Sequence, residues 1–586
     1  MTFRYFFALL LSLASFSSLA TAAKDAEFYT LLEEIWQYEL SVSPLLASRH
    51  GDHSLAAQLP DISPEALARK HGMWVQYRNA LEKYNVDNLS NDGFIALLMQ
   101  KYRLDDYIDQ YRFRAHLIPI NSEYGFHATM AGLPHLSRFK TDEDYLAYIH
   151  RLHSLPPYFE QQISYMRQGL KEGYTQPKVV LKGFDEAIKA YLVDRPEDSG
   201  FYAPFTSFPD YFSATQKKAL NAAGREAVEK SVLPAYQKFY HFMVNEYIPG
   251  ARQSIAAQHW PEGDAYYANR AKHYTTTDMT PQEIHQLGLR EVTRIREEMQ
   301  RIVDEVKFHG DINDFIQFLR EDPQFYAESA EDLLKEASFI AKKMDAKLPS
   351  LFEYLPRTPY GVAPVPDNIA PKYTTGRYIH PSGDDKPGYY WVNTYALDKR
   401  PLYALPALTL HEAVPGHHLQ ISLAAELNAL PMVRRNTYIS AFGEGWGLYS
   451  EFLGIEAGIY ETPYDNFGRL SYEMWRACRL VVDTGMHTMG WSRQQAVDYM
   501  MENTALSEHN VNTEIDRYIS WPAQALSYKI GEIKIKALRK KAEKALGQHF
   551  DVRKFHRAVL ENGSVPLFIL EQHINTFIKQ QKAITQ

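Results

Sequence analysis

The sequence predicts a large, mainly α-helical protein with a small β element beside a deep cleft. Three observations predict it. Apolar residues recur at three- and four-residue steps in window after window, and strand-like alternation is nearly confined to one stretch. Hydrophobic residues make up 45% of the 586, ample for a large core.

Taken from the N-terminus, Arg4 supplies a positive flank, Phe6 to Leu19 is apolar apart from serines, and Ala20-Thr21-Ala22 has a small-x-small form. These are the parts of a secretory signal peptide, so residues 1–22 are expected to be removed near Ala22 or Ala23. The apolar run is short for a bilayer span, and no later stretch reaches spanning length. A periplasmic or secreted protein without stable membrane insertion is the expectation. Cys478 is the only cysteine, which rules out an intramolecular disulfide and leaves the core to hold the fold. Within a helical stretch, it reads as a buried thiol.

Amphipathic helices are expected at Ala26–Leu40, Pro64–Tyr84, Asp142–Lys171, Pro281–Lys307, Ala330–Lys347 and Ser527–Leu546. Some carry caps, as in Thr280-Pro281-Gln282-Glu283, with proline in the first turn. Leu355 to Asp385 is rich in Pro, Gly and Asp and reads as a long loop. Tyr389 to Tyr395, opened by Pro387-Gly388, reads as the clearest strand and would offer an edge for an extended peptide. With no repeat and weak internal boundaries, residues 23–586 read as one unit, with the functional core at about 355–540. Lys and Arg total 63 against 71 Asp and Glu, a net charge of -8, which argues against a nucleic-acid partner.

The chemistry concentrates in His411-Glu412-Ala413-Val414-Pro415-Gly416-His417-His418. Zinc hydrolases often set two histidines on one helix face, with a glutamate beside the first as general base, at the spacing His-Glu-x-x-His. Here the later histidines stand six and seven positions on. Six steps of a regular helix turn about 600° and rise about 9 Å; seven rise about 10.5 Å. Neither pair could share one ion on an undistorted helix. Pro415 breaks helical hydrogen bonding and Gly416 tolerates unusual backbone angles, so a distorted turn could return one histidine to His411. A catalytic zinc takes three protein ligands and leaves a place for water. Glu444, in a helix expected over Ser440–Glu451 among small and aromatic neighbours, would be costly to bury unpaired. It is the candidate third ligand; Glu451, seven residues later on the same face, is its competitor and otherwise reads as a solvated carboxylate or one that supports the ligands.

The segment from His411 to Gln420, followed by Glu444-Gly445-Trp446, resembles the bacterial domain-of-unknown-function 885 family. Arg479 to Gly485 and Trp521 to Gly531 are similar to it as well. The resemblance covers most of the mature chain and is strongest from about Tyr389 to Gly531. That family is grouped with zincin-like metallopeptidases related to the gluzincins, whose Asn-Glu-Gly-Phe segment is similar to Gly443-Glu444-Gly445-Trp446. The resemblance implies an exported peptidase using Zn2+, with His411 and Glu444 as ligands and Glu412 as base. The Gly-His pair of related oligopeptidases matches His417 as the second histidine, while His418 stays eligible. Many family members look like lipoproteins; this chain lacks the cysteine for that.

The expected reaction is hydrolysis of a peptide substrate by a zinc-bound water, with Glu412 passing the proton to the leaving amine. For the oxyanion, Tyr518, Tyr528 and His509 are candidates, Tyr528 being preferred. Asp483 and His487 are candidates to orient a ligand imidazole. Arg476 and Arg479 suit either a substrate carboxylate or ion pairs in the core. Two alternatives stay open: hydrolysis of a non-peptide amide at the same site, or an envelope binding protein whose site is catalytically degenerate.

Overall fold

The computed structural model describes residues 25–367, 369–381 and 386–585, so the expected signal segment lies outside the described residues. The chain forms two compact units. The first comprises the chain up to Ile255 with His259–Gly263 and Pro431–Val433; the second comprises Ala256–Gln258, Asp264–Leu430 and Arg434–Gln586.

In the first unit a helix over residues 25–41 precedes α1 (Pro64–Ala80), α2 (Asn91–Arg112), α3 (Asp142–His153), α4 (Leu155–Glu172) and α5 (Leu233–Phe242). The single helix expected over Asp142–Lys171 is two. Thr141 and Asp144 cap α3 reciprocally, and α4 restarts at Leu155-Pro156-Pro157, where prolines sit at its N-terminus. Proline is tolerated there because first-turn N–H groups have no helical partner. Apolar stripes of α3, α4 and α5 meet in a core rich in rings, including Tyr148, Phe159, Tyr236 and Phe239, while the first helix, α1 and α2 share a second cluster with Phe28, Trp74 and Leu97.

The second unit contains α6 (Pro281–Glu305), α7 (Ala330–Asp345), β1 (Tyr360–Pro364), β2 (Gly376–Ile379) and β3 (Gly388–Val392). After these come α8 (Leu405–Glu412), α9 (His417–Ala425), α10 (Ser440–Ala457), α11 (Pro463–Thr488), α12 (Glu508–Ser520) and α13 (Ser527–Leu546). The chain is thus mainly helical with a three-stranded sheet. Strand order is β1-β3-β2; β1 runs parallel to β3 and β2 antiparallel, with Tyr378 opposite Tyr390.

The sheet corrects two expectations. The strand expected at Tyr389–Tyr395 is Gly388–Val392 and lies in the middle of the sheet. Its hydrogen-bonding edges are therefore taken, and it offers no edge to a peptide. The stretch Leu355–Asp385, expected as loop, supplies both outer strands. Short strands placed between prolines and glycines carry too little periodic signal to separate from a loop.

Helix α11 runs through the middle of this unit, its side chains buried continuously from Phe467 to His487. Helix α6 presents Ile284, Val292, Ile295, Met299 and Ile302 as a buried stripe at helical spacing. A Cβ at Gly288 would stand 2.8 Å from Leu480 Cβ, so glycine permits the close approach of α6 to α11. Below α11 lies a buried ionic cluster. The Lys529 ammonium is 2.7 Å from Glu473, 2.8 Å from Glu532 and 3.1 Å from Glu291. One ammonium faces three carboxylates, and Arg294 on Glu473 and Glu291, Arg469 on Glu473 and Lys536 on Glu532 supply the remaining positive charge, which is what makes the burial tolerable.

Candidate metal centre

The connection between α8 and α9 resolves the spacing problem. Helix α8 ends at Glu412, and α9 starts afresh at His417. Between them the Val414–Pro415 bond is cis, and the Trp446 indole N–H donates to the Pro415 carbonyl at 2.8 Å. A Cβ at Gly416 would collide with the carbonyl oxygens of Leu410 and His411, so only glycine allows the chain to fold back here.

This reversal brings the His411 and His417 rings to a centroid separation of 4.7 Å, edge to face. Glu444, on α10, closes the triangle: its Oε2 lies 3.7 Å from His411 Nε2 and 3.4 Å from His417 Nε2. One ligand atom from each of His411, His417 and Glu444 lies within 4.8 Å of the others, the three-residue group of metal-ligating type found among the described residues. Two ligands held about 2.0–2.1 Å from one zinc at tetrahedral angles stand roughly 3.4 Å apart. The carboxylate–imidazole distances match that separation, and two imidazoles plus one carboxylate are a donor set of catalytic zinc sites. The residues fit the ion.

Helix packing puts α10 in reach. Gly445 meets Gly531 of α13 backbone to backbone, a Cβ at Gly445 falling 2.5 Å from Gly531 Cα. Two positions on, a Cβ at Gly447 would stand 2.7–2.8 Å from the His411 ring. The glycines of Gly443-Glu444-Gly445-Trp446-Gly447 therefore let one helix crowd both α13 and the histidine.

His411 Nδ1 bonds Glu451 Oε1 at 2.8 Å, which leaves Nε2 directed at Glu444. A carboxylate behind a ligand imidazole fixes its tautomer and raises its basicity. Arg476 stands 3.4 Å behind Glu451. Burial disfavours a charged imidazole, but Glu444 and Glu451 outweigh it and raise the His411 pKa to about 9. Burial likewise pushes Glu444 up, and His417 and His411 outweigh it, holding the carboxyl well below its usual range.

His418 is turned away from this triangle. Its Nδ1 lies 3.1 Å from the Tyr378 hydroxyl and its ring 4.6 Å from that of Tyr360; burial lowers its pKa to about 4. Glu412, next to the candidate ligand His411, accepts a hydrogen bond from the Tyr378 backbone N–H at 2.8 Å. Strand β2 thus fixes the carboxylate through its main chain, while His418 fixes the same residue's side chain.

Tyr528 stacks on His411 at 6.4 Å, with the Arg479 guanidinium 4.3 Å from its ring on α11's side. Burial and then Glu444 raise its pKa. The other oxyanion candidates lie elsewhere. Tyr518 is core, its hydroxyl bonded to Glu514 and Arg479, and His509 is exposed in the first turn of α12.

The residues expected to orient a candidate ligand bond neither His411 nor His417. Asp483 accepts from Tyr267 at 2.6 Å and from the Ala523 N–H at 3.1 Å. His487 bonds the Ala257 N–H and the Tyr518 carbonyl. Glu451 has that place instead. Arg476 and Arg479 pair inside the core with Glu451 and Glu514. The buried thiol is Cys478.

Sequence reasoning missed Tyr438 and Tyr378. The Tyr438 hydroxyl lies 3.4 Å from Glu444 Oε1, on a residue 50% exposed, so it stands at the mouth of the site. Neither tyrosine belongs to a spaced motif: Tyr438 stands just before the Glu444 helix, and Tyr378 lies inside the short strand β2, in a stretch read as loop.

A family of bacterial proteins of unknown function, DUF885, matches residues 44–574. The chain belongs to that family. A crystal structure described as a "putative lipoprotein" from Colwellia psychrerythraea is 29% identical with a TM-score of 0.87, covering 95% of this chain and 99% of that one. A second, a "putative lipoprotein of unknown function" from Shewanella oneidensis, shares the fold at 18% identity and a TM-score of 0.74, over 94% and 99%. No curated protein matches the chain. No described helix is long and apolar enough to cross a membrane.

Proposed function

We propose that this member of the DUF885 family is an exported, zinc-dependent peptidase of zincin-like architecture, and that His411, His417 and Glu444 hold the metal. The observation that carries the reading is the triangle of two imidazoles and one carboxylate with Glu412 adjoining it. A zinc ion bound there supplies a water of pKa near 7 and polarises the scissile carbonyl.

Glu412 is the base. Tyr378 N–H holds its Oε2, so Oε1 remains to take the water's proton and pass it to the leaving amine. Glu451 holds the His411 imidazole in the tautomer that presents Nε2. Tyr528 and Tyr438 border the triangle with hydroxyl groups that can donate to a developing oxyanion. The helix carrying His-Glu, the third ligand on α10 and the small sheet touching the base support the zincin-like reading. The lipoprotein descriptions of the two solved relatives support export.

Zinc content and a quenched-peptide library test the reading together. One zinc per chain and chelator-sensitive cleavage are expected. Glu412→Gln keeps the metal and loses turnover by at least about 100-fold, whereas Glu444→Ala loses metal. A protein without stoichiometric zinc, or Glu412→Gln with near-normal turnover, overturns it. A zinc-loaded protein that cleaves no peptide moves the assignment to a non-peptide amide.

A further inference from the structure

The first unit contains a cleft of about 450 Å3 walled by α1, α2 and α4. Six of its fifteen lining residues carry aromatic or imidazole rings. Trp74 and Tyr107 meet at 5.3 Å, His71 stacks on Tyr111 at 4.3 Å, and His116 sets its edge on Tyr165 at 5.0 Å.

The charges around it do not cancel. Glu39 lines the cleft but is already bound: Arg103 reaches both carboxylate oxygens at 2.7 and 2.9 Å, and the Tyr107 hydroxyl adds a third bond at 3.0 Å. Burial lowers His116 to a pKa of about 4, so it is neutral near pH 7. Lys70 also lines the cleft, and no hydrogen bond or ion pair reaches its ammonium among the described residues. Asp61, one of the two carboxylates that attract it, accepts from the Ser63 N–H at 2.9 Å and lies 3.8 Å from Arg69. Lys70 thus borders an aromatic-walled space with no contact partner of its own among the described residues, the two carboxylates that attract it being bound to other groups.

We infer that the cleft beside Lys70, Trp74 and Tyr111 is a second binding site, taking a small aromatic carboxylate. The carboxylate would pair with the Lys70 ammonium, and the ring would lie among the tyrosines and Trp74. The volume falls within the range of small-molecule sites. The same ammonium repels a cationic guest, which separates this cleft from an aromatic cage for quaternary amines.

Calorimetric titration of the full chain with indole-3-acetate, neutral indole and choline tests this. Indole-3-acetate should bind saturably, one per chain, indole more weakly, and choline not at all. Lys70→Gln should weaken indole-3-acetate about 10-fold, the worth of one charge-assisted hydrogen bond, and leave indole unchanged. Leu67→Trp, which fills the cleft, should abolish binding of both. Thermal unfolding of each variant confirms that it is folded. Saturable binding equal in Lys70→Gln and wild type overturns the inference, as does no binding of indole-3-acetate. Binding lost in Glu444→Ala but kept in Lys70→Gln also overturns it, because that places the carboxylate at the histidine cluster.

Discussion

Gly447→Ala isolates the geometry of the proposed metal centre with one methyl group. The new Cβ would stand 2.7 Å from His411 Cε1 and 2.8 Å from Nε2, whereas unstrained carbon contacts lie near 3.5–4.0 Å. The shortfall of roughly 0.8 Å must be met by the ring, since both helices are anchored: α10 on Gly531 and α8 through its buried flank. Overpacking of this kind costs about 1–3 kcal/mol, partly offset by about 1 kcal/mol from replacing helical glycine with alanine. Net stability should therefore fall by no more than about 2 kcal/mol. Metal binding should suffer more, because ligand distances tolerate only about 0.2 Å. A chelator competition assay should show zinc affinity reduced at least about 10-fold, with a small change in denaturant midpoint. Undiminished zinc affinity in a folded Gly447→Ala protein would show that the ring has slack, and the reasoning from close approach would be wrong.

Two further variants probe the second unit. Lys529→Met leaves Glu473, Glu532 and Glu291 buried without their shared ammonium; it should cost about 3–5 kcal/mol in chemical denaturation, and a loss under about 1 kcal/mol would show the cluster to be relieved by Arg294 and its neighbours. Burial raises Asp483 from the usual carboxylate range to about 7, against the pull of Tyr267 and Ala523. The folded state therefore keeps a proton that the unfolded chain has shed, and stability falls as pH rises from about 4 to 7. Asp483→Asn should remove that slope, so its advantage over wild type is near zero at pH 4 and grows toward an upper bound of roughly 4 kcal/mol at pH 8. Parallel pH–stability curves for the two proteins would refute the assignment.

Much of the helical body was legible because long amphipathic windows repeat their signal many times. Ser527–Leu546 came out at its boundaries, and Pro281 opened α6 with its capping box as expected. The central strand β3 was legible within a residue at its start, but the outer strands were not, because β1 and β2 have only five and four residues and lie among prolines and glycines. At the site, His411, Glu412 and Glu444 stood out by residue type. Which of His417 and His418 lies beside His411 could not be read from spacing, since it depends on how Pro415 and Gly416 redirect the chain, a course held by Trp446 and crowded by the neighbouring carbonyls. Glu451 was visible as a carboxylate, but its partner lies forty residues away. Asp483 and His487 drew attention as polar residues in an apolar helix; their bonds go to main chain and Tyr267, satisfying buried polar groups.

The break between α8 and α9 means that the two imidazoles ride on separate rods. On one continuous helix, ligands four residues apart are kept about 6 Å apart along the axis by the backbone itself, and they part only if the helix unwinds. Here the pitch of neither rod sets the His411–His417 separation; the seating of α9 does, through the indole bond to Pro415 and the crowding at Gly416. Capture of the proposed ion would thereby be tied to how firmly a nine-residue segment is clasped by its neighbours. A loosened clasp would open the triangle while every helical hydrogen bond stayed intact.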